Sequence, residues 1–68
     1  MIYKTLGDRL KYCLEKRGMS QREFAARINT TEATVSRWIY GTRQPKADAI
    51  VVICQKLGIS SDWLLGLM

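Results

Sequence analysis

Histidine is absent from this chain of 68 residues, and with it the usual general base for a serine or cysteine nucleophile. Cysteine is scarce. Cys13 and Cys54 alone cannot assemble the four Cys or His ligands of a tetrahedral zinc site, so no metal is expected. Each falls on the apolar stripe of a helical segment, where a buried free thiol is the ordinary state. The five glycines, at 7, 18, 41, 58 and 66, are isolated, so no loop can cradle a phosphate cofactor. The six carboxylates are dispersed, and most sit near helix starts, where the macrodipole favours them. No catalytic residues and no cofactor are expected, nor is a small-molecule ligand. The longest apolar run, Ala49–Cys54, is far shorter than the roughly 18–20 residues that span a bilayer. No charged-then-apolar leader opens the chain, and a reducing cytoplasm is the expected setting.

What is present is positive charge. Eleven Lys and Arg against six Asp and Glu give a net charge of +5. Such a balance is compatible with simple solvation, but it also suits a phosphate backbone. The length makes residues 1–68 a single domain, and one this small buries only about 60% of its unfolded surface.

The segment from Ser20 to Gly41, SQREFAARINTTEATVSRWIYG, reads as two short helices joined by a tight turn. Ser20 and Glu23 form a capping box at the first helix start. Phe24, Ala25 and Ile28 then recur at helical spacing. Asn29 tolerates the left-handed backbone that ends a helix. Thr31 caps a second helix with Val35, Trp38 and Ile39 as its apolar positions, and Gly41 supplies the stop. So short a connection forces a steep crossing, the geometry of a helix-turn-helix over about residues 20–40.

With Gln21, Ala25, Asn29, Val35 and Trp38 in these positions, the chain resembles the small helix-turn-helix repressors of phages and bacteria related to lambda repressor, Cro and the Xre group. Leu6–Gln21 is similar to that family's first helix, and Gln44–Gly66 to its fourth and fifth, so the resemblance covers roughly residues 5–66. It implies an all-α, compact five-helix DNA-binding domain. Helix 1 is expected from Leu6 to Arg17 after a Thr5 cap, burying Leu6, Leu10, Cys13 and Leu14. Helix 2 is expected at Gln21–Ile28, and helix 3 at Glu32–Tyr40. After a loop at Thr42–Lys46, helix 4 covers Ala47–Leu57 and buries Ile50, Ile53, Cys54 and Leu57. Ser60 caps a fifth helix with Trp63, Leu64 and Leu67 as its apolar residues.

At 100° per residue, Val35, Trp38 and Ile39 point inward together. Ala33, Arg37 and Tyr40 lie opposite, flanked by Thr34 and Ser36. A major groove admits such a helix. Arg37, central on that face, is expected to donate two hydrogen bonds to guanine, with a phosphate contact or plain solvation as the competing role. Ala33 and the Thr34 methyl suit a thymine methyl. Glu32 suits cytosine N4, although its place in the first turn is equally explained by the dipole. Ser36 suits a base or a phosphate.

Backbone contacts are expected from Gln21, which the resemblance places against a phosphate, and from Arg22, Thr31, Tyr40, Thr42, Arg43 and Lys46. No acidic residue lies between Arg37 and Ala47. Many family members pair an Arg late in helix 1 with a Glu late in the recognition helix. Leu14 and Ile39 stand there instead, and an apolar pair can replace a buried ion pair without loss. Tyr40 stands where relatives often have Asn.

The resemblance further implies a homodimer on a pseudo-palindromic operator, with half-sites about 34 Å apart. Leu65, Leu67 and Met68 are the candidate dimer surface, while Trp63 and Leu64 close the core. With no further C-terminal domain in view, a Cro-type regulator is closer than an inducible repressor. Two other readings remain open: the antitoxin of a toxin–antitoxin pair, and a protein-interaction module that does not bind DNA.

Overall fold

Local capping chemistry starts four of the five helices. The computed structural model describes residues 5–67, and in it α1 spans Leu6–Lys16, α2 Gln21–Arg27, α3 Glu32–Tyr40, α4 Ala47–Leu57 and α5 Ser61–Leu65. The Thr5 hydroxyl accepts the Asp8 N–H at 3.0 Å, and the Ser20 hydroxyl accepts that of Glu23 at 3.0 Å. Thr31 and Ser60 serve α3 and α5 in the same way. Only α4 begins without such a bond, at Lys46, one residue after the buried Pro45.

The turn between α2 and α3 is a Schellman motif. Asn29 takes a left-handed φ of 60°, and the Thr30 N–H reaches back to the Ala25 carbonyl at 2.9 Å. This closes α2 within two residues and leaves only residues 28–31 between it and α3.

The described residues are all helical and irregular, with no strand. Their core is drawn from all five helices: Leu10 and Leu14 from α1, Phe24 and Ala25 from α2, Val35 and Ile39 from α3, Ile53 and Leu57 from α4, and Leu64 from α5. Leu14 and Ile39 are both buried, which fits an apolar pair at that place.

Several boundaries and burials differ from the sequence expectation. Helix 1 ends at Lys16, with Arg17 as its cap, and helix 2 ends at Arg27, with Ile28 as its cap. Both helices close early because the left-handed residue that follows already provides the carbonyl-satisfying turn. Leu6, Ile50, Cys54 and Trp63 are half-buried rather than buried, since each sits at the margin of its helix's inner stripe. Leu67 lies beyond α5 and is 73% exposed, so it is no part of the core. The capping box is also altered, because the Glu23 carboxylate turns along the helix to Arg27 at 3.3 Å.

Arg9 was not expected inside, yet it is 7% exposed. Its guanidinium donates to the Trp63 carbonyl and lies 5.6 Å from the centre of the Trp63 ring. A cation at the carbonyl end of α5 also meets the negative end of that helix dipole. Arg17 makes a second clasp, donating to the Cys13 carbonyl at 3.2 Å and to the Leu57 carbonyl. These two arginines tie α1 to both C-terminal helices.

Candidate nucleic-acid interface

Helix α3 is held by its inner face and its end. Val35 is fully buried, and Trp38 and Ile39 are nearly so. Gly7 of α1 sits directly against the last turn of α3. A Cβ there would lie 2.2 Å from the Ile39 carbonyl oxygen and 2.7 Å from that of Trp38. No side chain other than hydrogen fits, so the N-terminal end of α1 acts as a backbone-to-backbone seat for α3.

The opposite face of α3 is open. Glu32, Ala33, Arg37 and Tyr40 are all exposed, and Tyr40 has 70% of its surface free. Thr34 and Ser36 are half-buried flanks. The pattern matches the helical-wheel expectation residue for residue. Thr34 is less free than its position implies, because its hydroxyl pairs with that of Thr31 at 2.9 Å. Thr31 is thus both the cap of α3 and a partner for Thr34.

The loop after α3 is folded back onto it. The Arg37 carbonyl accepts the N–H groups of Thr42 at 3.0 Å and Arg43 at 3.3 Å, and Gly41, just before them, takes a φ of 78°. Only a residue without a Cβ adopts that conformation freely. The turn brings Arg43 and Lys46 into a shallow depression lined also by Thr34, Trp38 and Gln44. Arg43, Gln44 and Lys46 are exposed there, beside the Arg37 face. Gln44 was not singled out from sequence, since an uncharged loop residue carries no local signal of its neighbours.

Asp48 lines the same depression and places one carboxylate among these cations. Its Oδ1 accepts the Ala49 N–H at 2.9 Å, which directs the charge toward the start of α4. On α2, Gln21 is half-buried at the first position and Arg22 is exposed beside it. The expected contact residues thus lie on the free face of α3, at the start of α2 and in the loop before α4, and Thr34, Arg43 and Lys46 among them share one depression. Leu65 and Leu67 lie apart from it on α5 and just beyond, 45% and 73% exposed. Met68, the third candidate for a dimer surface, falls outside the described residues.

Nucleophilic chemistry has little foothold. Burial pushes the Cys13 thiol above its ordinary range, partly offset by the nearby Arg17, and burial also raises Cys54. A protonated, enclosed thiol is a poor nucleophile. Among the described residues, no three Cys, Asp or Glu side chains come together as a metal site. No described helix is long and apolar enough to cross a membrane.

The family model described as helix-turn-helix matches residues 10–64. The chain is 34% identical over 61 residues to repressor protein CI of Enterobacteria phage phi80, covering 90% of this chain and 25% of that protein. It is 32% identical over 62 residues to the HTH-type transcriptional regulator ImmR of Bacillus subtilis strain 168, covering 91% of this chain and 49% of that protein. The chain thus spans half or less of the length of these relatives. Among solved structures, the P22 c2 repressor in complex with a synthetic operator superposes with a TM-score of 0.86 at 19% identity. That superposition covers 91% of this chain and 94% of the other, and establishes a shared five-helix fold.

Proposed function

The chain belongs to this helix-turn-helix family, and from that premise we propose that it is a sequence-specific double-stranded DNA-binding transcriptional regulator. The observation that carries the reading is the free face of α3. Arg37 stands exposed at its centre while Val35, Trp38 and Ile39 lock the other side into the core. A helix so anchored can enter a major groove without giving up its packing.

In this reading Arg37 donates to guanine O6 and N7. Ala33 and the Thr34 methyl meet thymine, while Glu32 and Ser36 lie along the same groove edge. Gln21, Arg22, Thr31, Tyr40, Thr42, Arg43 and Lys46 contact the sugar–phosphate backbone and fix the register. Their cations supply most of the affinity and make it fall steeply with salt. The protein acts by occupying DNA in the cytoplasm of a bacterium or a phage-infected cell, without catalysis. The similarity to a phage repressor and to a bacterial transcriptional regulator supports this assignment.

One α3 reads only a few base pairs, so we infer pairing as a homodimer on a two-fold operator, of the Cro or repressor type. The exposed Leu65 and Leu67, with Met68, are the surface for that pairing. The test is selection from a random duplex pool at two salt concentrations, followed by sequencing. Enrichment of a pseudo-palindrome with affinity falling between the two salts is the expected result. Salt-sensitive retention without sequence enrichment would reduce the protein to a non-specific basic domain. No retention at either salt would overturn the DNA reading.

A further inference from the structure

A second surface lies between α1 and α5. Tyr12 and Trp63 form its floor, with ring centroids 6.2 Å apart and planes inclined at 56°. Ile59 extends the apolar area, and Lys16 and Arg17 stand at the rim of an open cleft of about 590 Å³. None of its lining residues comes from α2 or α3, so it is separate from the surface assigned to DNA. No carboxylate lines it either.

The charged side chains that line this cleft, Lys16 and Arg17, are both cations. The Lys16 ammonium lies 5.6 Å from the Tyr12 ring centre, and the Arg9 guanidinium lies 5.6 Å from that of Trp63. Arg17 spends two of its N–H groups on the Cys13 and Leu57 carbonyls, yet a guanidinium has five to give. An apolar, aromatic floor with cations on its rim and no anion is complementary to one chemistry: a bulky apolar side chain flanked by carboxylates. The cleft is a trough rather than a closed chamber, which suits a segment of polypeptide better than an enclosed small molecule.

We propose that the α1–α5 trough docks an acidic amphipathic segment of a partner protein. The segment seats an aromatic or aliphatic anchor on Tyr12, Ile59 and Trp63 and sets its carboxylates against Lys16 and Arg17. Large apolar anchors desolvated within a charged rim are the usual source of binding energy in such contacts. The rim charges steer the encounter and select acidic partners. Because the trough shares no residue with the α3 face, the proposal stands or falls independently of DNA binding.

The probe is a synthetic amphipathic peptide of about four helical turns, with Leu and Phe on one face and Glu on its flanks. Its neutral counterpart carries Gln in place of Glu. Each is titrated into the isotopically labelled full chain while backbone amide resonances are followed. Binding of the acidic peptide with shifts centred on Tyr12, Lys16, Ile59 and Trp63 is expected, several-fold tighter than the neutral peptide. Lys16→Glu should weaken it roughly fivefold or more, and the milder Lys16→Gln less. Lys16 is exposed, so neither variant should disturb the fold, which a thermal melt verifies. Arg37→Ala should leave the binding unchanged. Shifts centred on α3 and abolished by Arg37→Ala would mean that the peptide merely mimics DNA, and would overturn the proposal. So would the absence of shifts at millimolar peptide, or equal affinity for the two peptides.

Discussion

Replacing Gly7 by alanine tests the seat on which α3 rests. The added methyl would lie 2.2 Å from the Ile39 carbonyl oxygen, 2.7 Å from that of Trp38 and 2.8 Å from the Ile39 carbonyl carbon. All three are backbone atoms, so no side chain can swing aside. Ordinary contact requires α1 and the end of α3 to part by about 1 Å, which strains a core shared by both helices. Overpacking of this kind costs about 1–3 kcal/mol, and a rigid backbone obstacle argues for the upper half of that range. Alanine's better helix propensity returns at most about 1 kcal/mol. The net loss should be about 1–2 kcal/mol in a domain whose whole stability is about 3–10 kcal/mol. For a chain of this size, Tm should fall by roughly 5–15 °C. Circular dichroism melts of the two proteins provide the comparison. A Gly7→Ala protein melting at or above the parent would refute the close approach of α1 to α3.

Other consequences can be checked separately. Arg37→Ala should cost about 1–3 kcal/mol on the selected operator and relax preference at one base pair, read by competition binding against single-base variants. Lys46→Ala should weaken binding to all duplexes alike and lower the salt slope by about 1, measured by titration across a salt series. Arg9→Met removes one of two donors to the Trp63 carbonyl, which keeps its bond from the Gly66 N–H, and should destabilise by about 0.5–1.5 kcal/mol, seen in a denaturant titration; an unchanged midpoint would deny the clasp. Burial raises both thiols, so the native state keeps protons that the unfolded chain releases at high pH. Their contribution to stability is therefore intact below about pH 8.5 and declines as pH rises from there through the raised native values. The stability difference between the parent and a Cys13→Ala, Cys54→Ala protein should shrink over that alkaline range.

Much of the molecule is written in short-range chemistry. Ser20, Thr31 and Ser60 each accept a backbone N–H three residues ahead, and Asn29 and Gly41 take the positive φ that ends a helix. Such signals act within one turn, so reading along the chain finds them. The same holds for α3, where a period of 3.6 separates Val35, Trp38 and Ile39 from Ala33, Arg37 and Tyr40 without knowledge of any partner. The free face of α3 follows from that alone, while its assignment to DNA rests on the family resemblance.

Depth of burial is decided where helices meet. Leu6, Ile50 and Cys54 have the right residue type for burial, but their depth depends on which neighbours cover the edge of a stripe. Local spacing does not contain that information. Leu67 is a related case, since α5 stops at Leu65 and leaves it beyond the helix and exposed.

The amino-acid sequence by itself determined five helices, their caps and the side of α3 left for a ligand, because each depends on residues within about four positions of one another. Tertiary structure alone decided that Arg9 is buried against a carbonyl 54 residues away and that Arg17 reaches one 40 residues away. It alone made Gly7 indispensable at the end of α3 and brought Tyr12 to Trp63. Those contacts depend on how closely and at what angle the helices cross, which packing of the whole core sets and no single segment encodes.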